Sequence, residues 1–384
     1  MISLDEARQI IGSHTRVLHP EAIDLTKVNG RVLAHDISSD QFYPAANLSM
    51  MDGYVIREDE QPGSFSVIAE IPAGQITNGK LSRGEAMRIF TGGILPENGG
   101  RVVMQEACVR EGDMVSINEF PDSLFIREKG AEARPGDLIL RSGQLIGPSE
   151  MAVLAQLGCT QPQVIRKPRI RHLATGDELV KPTEVPSAGQ IRDTNSSLLA
   201  GLTAQYCSGM DSSLVPDQPS MMSALAEGDW EVLLISGGAS VGDYDHGADV
   251  LGEMGFTIHF DQVNLRPGKP LTFATRGNQL AFVIPGNPVS HFVCFHVAIR
   301  LALETLCGMA PNWSFLSLEI TEQSLLKPNP RETFWPAEIL VKDKQWTSRP
   351  KSWSSSGNTF SLIGTNALIR VSSKDFPLTL PLNS

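Results

Sequence analysis

A chain of 384 residues is too long for one ordinary hydrophobic core, so two to four domains are expected, each burying its own apolar face. Its 41% hydrophobic and 20% charged residues are those of a soluble globular protein. A formal net charge of −11 with no basic block argues against broad nucleic-acid binding, so an anionic ligand would need a local basic loop.

The first residues, MISLDEARQIIGSH, read as an amphipathic helix with early acids and lack the order of a signal peptide, which predicts a cytoplasmic protein. Residues 1 to 38 are expected to hold that helix (Leu4 to Ile11) and a second helical piece around Val28 to Ala34, both as packing material. From Asp40 a Pro-containing entry leads through Met50, Met51, Asp52 and Gly53 into a strand, Tyr54 to Ile56. The Asp-Gly pair by itself reads as a plain turn. Residues 64 to 120 alternate short β-like runs with Gly and Pro turns, the pattern of a small antiparallel or barrel-like domain, with Thr91 at the end of one run. An apolar helix, SEMAVLAQLG, then rejoins the N-terminal helices, which makes the β-rich piece an insertion.

From Pro168 the order becomes strand, turn, helix, and a parallel sheet is implied. RIRHLATGDELV is a strand ending at Thr175, Gly176, Asp177 and Glu178; Asp193 or Asn195 caps the next helix; Asp217 follows a further strand. The central stretch is VLLISGGASVGDYD, residues 232 to 245. Its apolar block does not alternate, as in a strand covered on both faces. Gly237 and Gly238 permit a tight turn whose successive N–H groups form an anion nest, continued by Ser240. The acids Asp243 and Asp245 beside such a site suggest a metal or a reacting phosphoryl group between them.

In QVNLRPGKPLTFA, Arg266 and Lys269 share a Pro-Gly frame that aims both cations the same way. This is the local basic loop that the acidic composition calls for. Pro285, Gly286 and Asn287 form another glycine turn before a helix, so strand ends, glycine turns and helix starts collect on one sheet edge. The apolar segment Ser290 to Leu306 carries His291, His296, Arg300 and Glu304 and reads as a core helix, not a membrane span. His291, Cys294 and His296 do not share a helix face well enough to ligate a metal. The five cysteines are odd in number and scattered, as reduced thiols are. Residues 312 to 384 read as a small β domain in which Arg331 and the run Ser354 to Asn358 could border a cleft.

Taken in order, MDGY, TGG, TGDEL, DTN, SGGASVGDYD, RPGKP and IPGNPVS resemble the molybdopterin molybdenumtransferases, the family of the bacterial molybdenum-insertion enzyme and the gephyrin E domain. The resemblance covers nearly the whole chain. It implies a multidomain α/β protein: a helical N-terminal domain (1–38 and 134–166), an inserted β-rich domain (39–133), a parallel-sheet molybdopterin-binding domain (167–310) and a C-terminal β domain (311–384). It further implies insertion of molybdate into adenylylated molybdopterin with release of AMP, a Mg²⁺ requirement, and a homodimer whose cleft lies between the α/β domain of one subunit and the insertion of the other. A molybdopterin adenylyltransferase is the implied partner; no nucleic acid or membrane is.

Carried over by motif, the site acids are Asp52, Glu178, Asp217 and Asp245, with Thr91 nearby; Asp52, Glu178 and Asp245 are the expected metal ligands. Gly237, Gly238, Ser240, Arg266, Lys269, Pro285, Gly286 and Asn287 would bind the substrates. Three segments depart from the family pattern: Gly100 where an acid is common, Glu132 in Gly130-Ala131-Glu132 where a shorter carboxylate is usual, and Asn47 to Met50. The alternatives are a molybdopterin adenylyltransferase, which needs neither the insertion nor the terminal β domain, and a non-catalytic scaffold like gephyrin, against which the retained acids speak. Molybdate and tungstate, both tetrahedral dianions, are not separated by the sequence.

Overall fold

The computed structural model describes every residue except 78, 238–246, 312, 328, 343, 354, 373–376 and 383–384. The chain forms two units, Met1–Ala34 with Gly143–Met151 and Thr160–Ser384, and His35–Ser142 with Ala152–Cys159.

Helix α1 (Leu4–His14) starts as its sequence dictates: Ser3 and Glu6 cap each other's backbone N–H, and Leu4, Ala7 and Ile11 are buried on one face. The expected helix at 28–34 is not formed. Val28, Val32 and Leu33 imitate a helical spacing, but Asn29-Gly30 is a turn. Val32 and Leu33 instead make β-bridges to Leu145 and Val164.

The second unit holds a six-stranded sheet built from β1 (Gly53–Ile56), β2 (Gly63–Ile71), β3 (Glu85–Ile89), β4 (Arg101–Met104), β5 (Cys108–Glu111) and β6 (Met114–Ile117). Its order is β4-β1-β3-β2-β6-β5, with β2 and β3 parallel and the other neighbours antiparallel. β1 is buried on both faces: Tyr54 and Ile56 enter one apolar cluster and Val55 the other. Gly53 is therefore a strand residue and not a plain turn, and a Cβ there would overlap the Val103 carbonyl oxygen of β4.

Helix α2 spans Pro148–Gln156. The α/β part of the first unit follows as β7 (Arg169–Thr175), α3 (Asn195–Thr203), β8 (Gly209–Val215), α4 (Pro219–Ala226), β9 (Val232–Ser236), α5 (Gly247–Glu253), β10 (Thr257–Phe260), β11 (Thr272–Arg276), β12 (Gln279–Ile284) and α6 (Pro288–Leu306). The sheet runs β8-β7-β9-β12-β11-β10. The first three pairings are parallel and the last two antiparallel, so the expected parallel sheet carries a hairpin edge. β9 shows why its apolar run does not alternate. Val232 and Leu234 pack with α1, α3 and α6 residues, whereas Leu233 and Ile235 pack with α4 and α5 residues on the other face. Each side chain so covered contributes about 2 kcal/mol relative to exposure. α6 is long and apolar enough to cross a membrane, yet 89% of it is buried in the protein.

The C-terminal strands β13 (Glu332–Lys342), β14 (Gln345–Pro350), β15 (Ala367–Val371) and β16 (Leu378–Pro381) pair antiparallel in the order β14-β13-β15-β16. Leu265 and Arg266 pair in parallel with Glu332 and Thr333 at the start of β13. That short ladder seats the Arg266 loop beside Arg331.

Replacing Gly53 by Ala is expected to lower the unfolding free energy by about 1–3 kcal/mol, the cost of forcing a methyl into a packed interior. Denaturant unfolding of the two proteins measures this; an unchanged midpoint would mean that β1 and β4 separate freely.

Candidate active site

The parallel strands end together: Thr175 is level with Val215, Ala174 with Ser236, and Ser236 with Ile284. At that edge Gly237 takes φ +97°, and a Cβ would stand 2.6 Å from Thr175 Oγ1 and 2.8 Å from its carbonyl oxygen. Only glycine fits such a position. Its N–H donates to the Ile284 carbonyl at 2.9 Å, so Gly237 closes the strand end and does not donate to an anion as the nest reading expects. Gly238, Ser240, Asp243 and Asp245 lie outside the described residues.

Two cavities open at this edge. The larger, of about 630 Å³, is bordered by Glu178, Asp217, Arg192, Ser236 and Gly237. Glu178 is exposed and Asp217 half-buried. The Asp217 N–H donates to Asp177 Oδ1 at 3.2 Å, which ties two acidic turns together. The smaller, of about 400 Å³, collects Arg266, Lys269 and Arg331 with Pro285, Ser290 and Trp353, and among the described residues no carboxylate lines it. Gly286 and Asn287 line both cavities. Asn195 Nδ2 donates to the Gly286 carbonyl at 2.8 Å, and Asp193 Oδ1 accepts the N–H groups of Asn195 and Ser196 at 3.0 and 3.1 Å. The DTN segment thus both caps α3 and holds the turn between the cavities.

The two loop cations expected to converge do so, and the structure adds Arg331, whose Nη1 donates to the Leu265 carbonyl at 3.3 Å. Trp353 completes the group, its ring 5.7 Å from the Arg266 guanidinium carbon. The sequence marked Arg331 and the serine run only as a cleft border and did not mark Trp353 or Arg192. Arg331 is joined to the loop by the two-residue pairing of Leu265–Arg266 with β13, too short to show as periodicity.

In the second unit, Asp52 and Thr91 meet. The Thr91 N–H and hydroxyl both donate to Asp52 Oδ1, at 2.7 and 2.9 Å, and hold that carboxyl below the usual carboxylate range. Gly100, where the family has an acid, abuts Glu58 so closely that a Cβ would overlap the Glu58 Cβ. Glu132 forms an ion pair with Arg127.

Among the described residues no three ligating side chains cluster. Glu178 and Asp217 nevertheless place two carboxylates on one cavity, which suits a hard cation that takes its remaining ligands from water and substrate phosphate. The five cysteines are free, and Cys294 and Cys307 are buried.

Fold and site together define a multidomain α/β protein with two polar cavities at the end of a largely parallel sheet. Residues 2–158 match the family described as the MoeA N-terminal region (domain I and II), and residues 171–305 match the probable molybdopterin binding domain. A molybdopterin molybdenumtransferase from Nostoc sp. is 37% identical over 369 residues, covering 91% of this chain and 84% of that protein. One from Staphylococcus aureus is 28% identical over 380 residues, covering 96% and 91%. The crystal structure of the molybdopterin biosynthesis MoeA protein from Pyrococcus horikoshii superposes with a TM-score of 0.81 at 25% identity, over 99% of this chain and 100% of that one. The chain belongs to the molybdopterin molybdenumtransferase family.

Three histidines in the α/β part are buried and held neutral. Desolvation pushes His172 down to about 3, His291 to about 4 and His296 to about 3. Because these folded values lie below the unfolded value of about 6.5, the unfolded chain alone takes up protons as the pH falls through that range. Stability contributed by the neutral rings is present above about pH 6.5 and is lost progressively as the pH falls toward the folded-state values of about 3 to about 4. Urea unfolding is expected to show roughly 3 kcal/mol less stability at pH 5.5 than at pH 6.5 from the three groups together. Equal stability at the two pH values would show that the rings protonate in the folded protein.

Proposed function

We propose that this protein inserts molybdate into adenylylated molybdopterin and releases AMP. The observation that carries this reading is the difference in charge across the Gly286–Asn287 turn, with three cations and no described carboxylate on one side and Glu178 and Asp217 beside Arg192 on the other. A tetrahedral dianion suits the smaller cavity, where Arg266, Lys269 and Arg331 neutralise it and Ser290 offers a hydroxyl. The pterin and its adenylyl group take the larger cavity, whose rim is built from strand ends and the Asn287 turn.

Glu178 and Asp217 would hold Mg²⁺ against the phosphates. When bound, the ion polarises the phosphoanhydride and neutralises charge on the departing AMP. By motif alone, Ser240 is a further phosphate contact and Asp245 the further metal-facing acid. Asp52, kept ionised by Thr91, acts with it from the second subunit of a homodimer. The expected setting is the cytoplasm, with a molybdopterin adenylyltransferase supplying the substrate.

Purified protein given adenylylated molybdopterin, Mg²⁺ and molybdate is expected to release AMP in a molybdate-dependent manner. No release with Mg²⁺, Mn²⁺ or other divalent ions would sink the assignment; ATP-dependent adenylylation of molybdopterin would replace it with an adenylyltransferase. Lys269→Ala is expected to raise the KM for molybdate about ten-fold, the worth of one charge-assisted contact, while kcat changes little. An unchanged molybdate KM would move the anion out of the smaller cavity.

A further inference from the structure

Two histidines that no motif singles out meet on one serine at the end of β9. His172 on β7, Ser236 and His291 on α6 are buried, at 0%, 2% and 0% exposure. His291 Nε2 lies 2.6 Å from Ser236 Oγ and His172 Nε2 lies 2.7 Å from the same atom. A hydroxyl carries one proton, so between two neutral rings it donates to one and accepts from the other. The outer nitrogens decide which. His291 Nδ1 stands 3.1 Å from the Asn287 carbonyl, which only accepts, so the proton of His291 is on Nδ1 and its Nε2 accepts from Ser236. Ser236 Oγ then accepts from the Nε2–H of His172. The Nδ1 of His172 is left as an acceptor, and it faces the hydroxyls of Ser212 at 3.2 Å and Ser196 at 3.3 Å. The relay therefore has one direction, from Ser212 and Ser196 through His172, Ser236 and His291 to the Asn287 carbonyl.

Each link fastens a different part of the cavity wall. Ser196 opens α3 beside Asp193 and Asn195; Ser236 precedes Gly237; Asn287 lines both cavities. Neither imidazole lines either cavity, so the rings act through the turns they hold. We propose that His172 and His291 are positioning residues which, through the Ser236 hydroxyl, lock the start of α3, the Gly237 turn and the Asn287 turn into one arrangement that presents the substrate cavities. The role as stated rests on the assignment of those cavities to the substrates; the relay itself does not.

Two measurements test it. Long-range ¹H–¹⁵N correlation spectra of the wild-type protein labelled at its eight histidines resolve the tautomers, with assignment by the single variants. His291 is expected as the Nδ1–H form and His172 as the Nε2–H form; the opposite tautomer at either ring overturns the relay. In AMP-release kinetics, His172→Leu and Ser236→Ala are expected to raise the KM for adenylylated molybdopterin about ten-fold with kcat little changed, because a displaced turn weakens binding before chemistry. His172→Gln, whose amide nitrogen stands near the Nε2 position, is expected to recover most of that loss. Equal impairment by Gln and Leu would reduce His172 to core packing and overturn the proposal. If wild-type protein released no AMP, the assigned reaction would fall while the tautomer pattern still decided the relay; if the Leu variant failed to fold, the wild-type spectra would decide it alone.

Discussion

One acceptor-only group, the Asn287 carbonyl, sets the direction of the hydrogen bonds that run through His291, Ser236 and His172 at the sheet edge. The constraint arises from the fold. Strands covered on both faces leave their polar side chains no water, so His172, buried in the middle of β7, must find partners for both nitrogens within the protein. A ring that lost one partner would carry a penalty of about 1–3 kcal/mol, comparable to a substantial part of a domain's net stability. Full satisfaction requires β7, β9 and α6 to arrive in a single register. The same register places Gly237 where its N–H meets Ile284 and its Cα passes Thr175, so the glycine turn follows from the buried hydrogen bonds as much as from its own φ.

The legible parts of this architecture were those written in local residue types. The apolar run Val232 to Ile235 announced a doubly covered strand, and the two clusters it enters show why no alternation was needed. The Arg266–Lys269 frame announced two cations aimed the same way, and both line the smaller cavity. Residues 28–34 misled because three apolar side chains imitate a helical face while Asn29-Gly30 turns the chain, and backbone geometry won. Gly53 misled in the opposite sense: a turn-forming dipeptide is used for a close approach between strands. His172 and His291 could not be paired from sequence at all. His172 sat in a strand and His291 in a helix without ligand spacing, and nothing local reveals that two rings on different elements share one hydroxyl. Arg331 is brought to the loop cations by a ladder two residues long, and Trp353 lies on a segment tied to α6 by the Val289 N–H to the Ser356 carbonyl.

The charge balance of the site resolves an apparent conflict between an acidic protein and anionic substrates. A net charge of −11 gives a surface that repels anions at long range. At physiological salt that field is screened beyond about 8 Å, whereas a cavity lined by Arg266, Lys269 and Arg331 without a described carboxylate acts at contact distance. The cations are also restrained, since Arg331 is tied to the Leu265 carbonyl and Arg266 lies against Trp353. Restraint matters because a guanidinium already ordered loses less freedom when it binds an oxyanion. The acids Glu178 and Asp217, across the Gly286–Asn287 turn, would by themselves oppose a phosphorylated ligand. They share that cavity with Arg192, so its wall carries charge of both signs, whereas the charged side chains described on the smaller cavity are all cations. The turn between the cavities is the element through which these two charge environments meet, and it is held from one side by Asn195 and from the other by His291.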